Sequence, residues 1–568
     1  MAIDFFKSEK ILRLTPVNSE TKDIANNILV GDVRVFPKLS NVKVESLSEL
    51  WEMKFDSSPS TYALYVYALY PVAYLLNAYE STEDPRYLDE ALSLALSFIE
   101  WEVKSDKKIN KKRLKILFGD HAVSNRTQAL CYLVCGLRNS RKEIPSEVLS
   151  VLLKNGEYLA DISNYSHYNH GLMMDLALLG LLNTLEGIEL EYPAHLKESL
   201  VTRLKYSITR DLTEDGVHVE NSPGYHFWML GFLGKIVQPL SSLDKPLHLK
   251  ASNSLTKASE YANHITRPDG SVPAIGDTHA GVMFKPSKGL SSKIFPDSNQ
   301  VIFRSSDDSV WAHFGCGYKT HVHKHADNGA FNLYYKGQDI FIDPGFLNYE
   351  SSEDSMEIKR SSSHNTVSPK GQSQIIQKIG LAGSGKSYTS NLSESRISGY
   401  KKTEALEVSL AYIADYEGVD IERLIVWLKP NVFLIYDAAN SASKPLQQVF
   451  HLDPSLNAEI GSGSVSLTDQ AGFQVCEITQ HRFTEQESSI PGVSLEPCFY
   501  AEKFDTKVDS KRAVFETSSS CFFTVIKLGG KEEPAFEIDG IDGLSIRYIF
   551  SGDFKKIDLA QLKAEISF

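Results

Sequence analysis

The hydrophobic pattern changes period once along the chain. From Pro59 to about Ile265, segments such as PRYLDEALSLALSFIEWEV, RTQALCYLVCGLRNS, PSEVLSVLLKNGEYLADI and GLMMDLALLGLLNTL carry apolar residues at helical spacing. TYALYVYALYPVAYLLNAYE, HLKESLVTRLKYSITRDL, YHFWMLGFLGKIVQPL and SNSLTKASEYANHI continue the series, with Pro, Gly, Asp and Asn between them. Beyond about residue 300 the pattern becomes short apolar runs separated by turn residues. VIFRSS, VWAHFGCG, FNLYYKG, IFIDPG, EVSLAYIADY, RLIVWLK, VFLIYDA, SVSLTD, FQVCEIT, FFTVIKL and LSIRYIF read as strands. We therefore expect an α+β multidomain protein, divided into an N-terminal segment 1–55, a helical domain 56–290 and a β domain 291–568. Stacked helical hairpins without a fixed repeat favour an α/α toroid over a solenoid, and many strands without intervening helices favour an antiparallel β-sandwich.

Composition adds mainly exclusions. The 568 residues are 42% hydrophobic and 23% charged, ordinary values for a globular protein. A net charge of −13 disfavours nucleic acid and anionic membrane surfaces as partners. Six scattered cysteines match no zinc-ribbon spacing and read as free thiols. The N-terminus lacks the apolar core of a secretory signal, and Pro71 and several tyrosines interrupt the most apolar helix. The expectation is a cytoplasmic protein, or a periplasmic one if a signal has been removed.

The chemistry concentrates in HVHKHADNGAFNLYYKGQDIFIDPG, residues 321–345, and in the later pair His364 and Asn365. Read as extended chain, His321, His323 and His325 share a face with Asp327. A turn at Lys336 to Gln338 returns the chain as a second strand carrying Asp343. His325, Asp343 and His364 would offer a divalent metal, best Zn²⁺, two nitrogens and an oxygen with a position open. The alternative is a row of polar residues on a strand edge. In the helical half, Asp120, His121 and Arg126 enter a helix whose N-terminus could hold an anion or merely be capped. Asn169 and His170 stand in the first turn of a strongly apolar helix. Glu220, Tyr225 and His226 flank a loop-to-helix junction at Gly224, where a tyrosine could equally be packing.

As a set, DHAVSNR (120–126), YNHG (168–171), ENSPGY (220–225), PDGSVPAIGD (268–277), HKHAD (323–327), DPG (343–345) and HNTV (364–367) resemble the heparinase II/III-like polysaccharide lyases, which include alginate, heparin and heparan sulfate lyases. The resemblance covers about residues 120–370, and beyond that only the general architecture is similar. It implies an α/α toroid followed by a β-sandwich, a structural metal, usually zinc, on His325, Asp343 and His364, and an acidic polysaccharide or oligosaccharide as substrate. It further implies that Asn169 and His170 bind the substrate carboxylate, that Tyr225 transfers a proton and that His323 is its neighbour. His121, Arg126, Glu220, Arg304 and Tyr349 are candidates for substrate contact.

The expected reaction is β-elimination at a uronic acid. The C5 proton becomes acidic only once the adjacent carboxylate is neutralised, a task for preorganised donors. Two other functions fit the same residues: a uronyl C5-epimerase, which returns the proton to the opposite face, and a glycan-binding protein without turnover.

Overall fold

The computed structural model describes residues 13–36, 39–54, 59–105, 111–165, 169–348, 352–377, 393–441, 444–482, 490–503, 506–530 and 533–566. Contacts divide the chain into two compact units, one of residues 1–209 and 231–253, the other of residues 210–230 and 254–568. The strands of the second unit's first sheet begin at Lys293–Phe295.

The first unit is built from helices. After Thr21–Leu29 and a two-stranded ribbon, Asp32–Val33 with Val42–Lys43, come Pro59–Tyr67, Tyr70–Thr82, Pro85–Ser105, Lys111–Leu117, Asp120–Asn139, Ser146–Ala160, Asn169–Gly187 and Ala194–Asp211. The expected helix across Pro71 is two helices, because Leu69 adopts φ 58° and Pro71 opens the second one. Every residue of Asp120–Asn139 from Ala122 to Leu137 is buried, so this helix is the centre against which its neighbours pack. Helices Pro223–Leu243 and Lys245–Ile265 contribute residues to both units.

The second unit carries the sheets. Lys293–Phe295, Gln300–Arg304, Val310–Gly315, Ala330–Tyr335 and Gln338–Phe341 form a five-stranded antiparallel meander. An eight-stranded sheet has at its middle Leu406–Tyr416, Val419–Leu428, Val432–Ala439 and Cys521–Leu528, and a four-stranded sheet includes Leu446–His451 and Val367–Pro369. Alternation along Val419–Leu428 explains why LIVWL, residues 424–428, is continuously apolar. Ile425 and Trp427 face a core shared with the meander, whereas Leu424, Val426 and Leu428 face a second core. That second core is closed by the three-stranded sheet Phe536–Asp542, Ser545–Phe550, Asp553–Asp558 and the helix Leu559–Ile566. The eight-stranded sheet is thus covered on both faces, and each large side chain buried there contributes about 2 kcal/mol by leaving water. No described helix is long and apolar enough to cross a membrane.

Candidate active site and metal centre

The expected hairpin is present. Ala330–Tyr335 pairs with Gln338–Phe341 and delivers Asp343 at its far end. Asn365 fastens that end. Its amide donates to the Ile342 carbonyl and to Asn332 Oδ1, both at 2.9 Å, and its own oxygen accepts from the His451 backbone N–H at 2.6 Å. Arg423, fully buried against Asp437, donates to the carbonyls of Gly329 and Asn365 at 2.7 and 2.9 Å. The strands on either side of His364 are therefore tied by groups that would be costly to leave unbonded.

His325, Asp343 and His364 are buried and bring ligand atoms within 4.8 Å of one another. His325 Nε2 lies 2.9 Å from Asp277 Oδ1, and His364 Nδ1 lies 3.0 Å from Asp343 Oδ2. A carboxylate only accepts, so each of these ring nitrogens carries the hydrogen and the other nitrogen of a neutral ring keeps its lone pair. Those remaining atoms, His325 Nδ1 and His364 Nε2, and likewise Asp343 Oδ1, are buried without a hydrogen-bond partner among the described residues. Two imidazoles and one carboxylate with ligand atoms this close suit a divalent transition metal. Burial would lower the His364 pKa, but the Asp343 and Asp327 carboxylates hold it above its ordinary value, a sign of excess negative potential.

The histidine row is not a strand. Residues 321–327 turn, and His323 takes φ 56°, so His321, His323 and His325 do not alternate on one face as expected. His323 instead lies flat on Tyr225, with ring centroids 3.8 Å apart and planes inclined by 14°. Its Nδ1 is 2.7 Å from Asp277 Oδ2, and its Nε2 is 3.7 Å from Glu220. Burial would raise the Asp277 pKa, yet its bonds to His323 and His325 hold the carboxyl well below the usual range. Glu220 is likewise lowered against burial, chiefly by His218 at 3.4 Å. Asp327 pairs with Lys324, and His321 is half-buried.

Three loops hold these groups in register. Asn221 donates from its side chain to the carbonyls of Thr320 and Val322 at 2.6 and 2.9 Å. The Thr278 hydroxyl bonds Ser222 Oγ at 2.7 Å and accepts from the Gly224 N–H at 3.0 Å, at the start of the helix bearing Tyr225. Asp277, Asn221 and His218 escaped the sequence reading as site residues. The signal available for Asp277 was a Gly-Asp step in a segment with neither helical nor strand periodicity.

The remaining expected residues separate into kinds. In the first unit, His170 Nδ1 is 3.1 Å from Asp120 Oδ2, which raises its pKa, and its ring meets His121 edge-on at 5.8 Å. His121 is lowered by burial and by His170. Asn169 begins its helix as expected. Two of the expected arginines are buried. Arg126 is 1% exposed and bonds the carbonyls of Tyr67 and Leu117, while Arg304 is 2% exposed and bonds Asp308 and the carbonyls of Asn263 and Thr266. Both guanidinium groups bond within the protein. Tyr349 lies outside the described residues.

The structure is similar to that of a heparan sulfate lyase mutant from Pedobacter heparinus, with TM-score 0.76 and 17% identity over 98% of this chain and 92% of that one. It is similar also to heparinase III, with TM-score 0.69 and 14% identity over 98% and 94%. The class is thus an α+β protein with the heparinase III architecture, helices first and antiparallel sheets after. At the level of sequence, the heparin-sulfate lyase of Pedobacter heparinus is 21% identical over an alignment of 404 positions that covers 64% of this chain and 57% of that protein. The chain therefore spans under two thirds of that relative's length. The family model for the Heparinase II/III N-terminus matches residues 66–303, and that for the Heparinase II/III-like C-terminal domain matches residues 287–538. The chain belongs to the heparinase II/III-like family.

Proposed function

We propose that this protein is a polysaccharide lyase that cleaves a uronate-containing glycosaminoglycan of the heparan sulfate type by β-elimination. The observation that carries the reading is the Tyr225–His323 stack, with His323 anchored through Nδ1 and its Nε2 on the other side of the ring. Two proton-transfer groups in contact are what elimination needs. One takes the C5 proton, the C–H electrons form the C4–C5 double bond, the C4–O4 bond breaks, and the other group protonates the departing O4. The epimer of the uronate decides which of Tyr225 and His323 takes which proton.

Asn169 and His170, on the family resemblance, supply the donors that neutralise the uronate carboxylate, without which C5 is barely acidic. The bond to Asp120 orients His170 and favours its charged form, which suits an anionic partner. His121 and Glu220 are kept as substrate contacts. A divalent ion on His325, Asp343 and His364, for which we assign zinc, would supply positive charge and fix the orientation of its ligands.

Incubation with heparan sulfate, heparin, chondroitin sulfate and alginate tests the reading. Ultraviolet-absorbing unsaturated ends are expected from heparan sulfate first. No unsaturated product from any of them, or uptake of solvent deuterium at C5 without chain cleavage, overturns it.

A further inference from the structure

The lyase reading assigns one task to His323 and another to the His325, Asp343, His364 group, and leaves Asp277 without either. Asp277 touches both sets. Its two oxygens are divided, Oδ2 taking the His323 Nδ1–H at 2.7 Å and Oδ1 taking the His325 Nε2–H at 2.9 Å. Lys359 Nζ stands 3.6 Å from Oδ1 as the one further charged group recorded against it among the described residues. The carboxylate is buried, with a side chain only 4% exposed, so these bonds are not shared out among surface waters.

We infer that Asp277 is a positioning residue that couples the metal centre to the proton-transfer pair. Its bond to His325 forces the hydrogen onto Nε2 and leaves the Nδ1 lone pair for the ion, the usual way an outer carboxylate orients a ligating imidazole. Its bond to His323 does the same for the other ring and turns Nε2 towards the reacting side. One rigid carboxylate thereby fixes two tautomers and the spacing of two rings. Loading the metal set holds His325, which holds Asp277, which holds the face of His323 against Tyr225. The backbone supports this arrangement. Gly276 takes φ 55° and sits where a Cβ would be 2.6 Å from the Asn221 carbonyl oxygen and 2.9 Å from that of His323, so the residue before Asp277 is wedged between the loop of Asn221 and the loop that carries His323 and His325.

The inference rests on the lyase reading for the role of His323, but half of its test needs no turnover. In the full chain loaded with zinc, Asp277→Asn replaces one acceptor oxygen by a donor and cannot satisfy both rings. Competition with a chromogenic chelator is expected to show zinc affinity reduced about 10- to 100-fold, the usual loss for an outer-sphere partner of a ligand. At saturating zinc, kcat is expected to fall at least about tenfold through misplacement of His323, with KM within about twofold. Wild-type zinc affinity, or wild-type kcat at saturating zinc, overturns the coupling. Should the Asn variant not fold, His323→Ala carries the test. It removes one partner of the same carboxylate and leaves the three ligands intact, so a severalfold shift in zinc affinity is expected and an unchanged affinity overturns the inference. If the wild-type chain yields no unsaturated product, the lyase reading fails separately, while the zinc measurements still decide whether Asp277 governs His325.

Discussion

His323 occupies a left-handed backbone conformation, φ 56°, which costs a non-glycine residue about 1 kcal/mol or more. An extended residue there would send the ring to the same side as His325. The turned one lays it on Tyr225 while Nδ1 still reaches Asp277. The strain therefore separates two histidines only two positions apart into different jobs. Tyr225→Phe tests the first job directly, since the ring and its stacking survive and only the hydroxyl is lost. We expect kcat to fall by about 100-fold or more, the ordinary worth of a general acid or base. KM and melting temperature should stay near wild type, and unsaturated-product release under saturating substrate is the measurement. Turnover close to wild type would remove Tyr225 from the chemistry.

Between elements, Gly276 is the contact on which the loops 218–226 and 320–325 depend. Gly276→Ala would place a methyl group against two carbonyl oxygens at positive φ, so neither backbone can relax without moving His323 or Asn221. A loss of at least about 1 kcal/mol is expected in denaturant titration, together with a larger fall in kcat than the stability loss explains. This level was the least legible in the sequence. The strand Ala330–Tyr335, its turn and the return to Asp343 could be read from alternation and turn residues, and the helix beginning at Asn169 from its apolar face. The loops could not be read so, because Asn221, Gly276 and Thr278 act through bonds to backbone far along the chain, and those leave no periodic trace. The burial of Arg126 and Arg304 was illegible for a related reason. An arginine beside a motif looks available until the carbonyls that absorb it, from Tyr67 and Leu117 or from Asn263 and Thr266, are brought in by folding. Asp277 was visible as part of a motif, but nothing local marks it as the partner of residues 46 and 48 positions away.

For the molecule as a whole, a net charge of −13 would repel the sulfated glycan proposed as substrate, so its recognition would have to come from local groups and not from long-range attraction. A cation held by His325, Asp343 and His364 would be one such group, and it should also be worth stability. Without it, His325 Nδ1, Asp343 Oδ1 and His364 Nε2 are buried acceptors with no donor among the described residues. Any ion that binds this arrangement and not the unfolded chain shifts the equilibrium by mass action, by about 2.7 kcal/mol at a free concentration 100 times its dissociation constant. Thermal unfolding of chelator-stripped protein should therefore occur at a lower temperature than that of the same protein with zinc, and the difference should vanish when the chelator is restored. His364→Ala should flatten the zinc dependence, because the variant lacks one of the three ligands. The stripped wild-type protein should also lose kcat in parallel with zinc occupancy, as His325 ceases to anchor Asp277. A melting temperature indifferent to zinc and chelator would mean that the three residues are a buried hydrogen-bonded cluster, and the charge that draws a polyanion would then have to be sought in other residues.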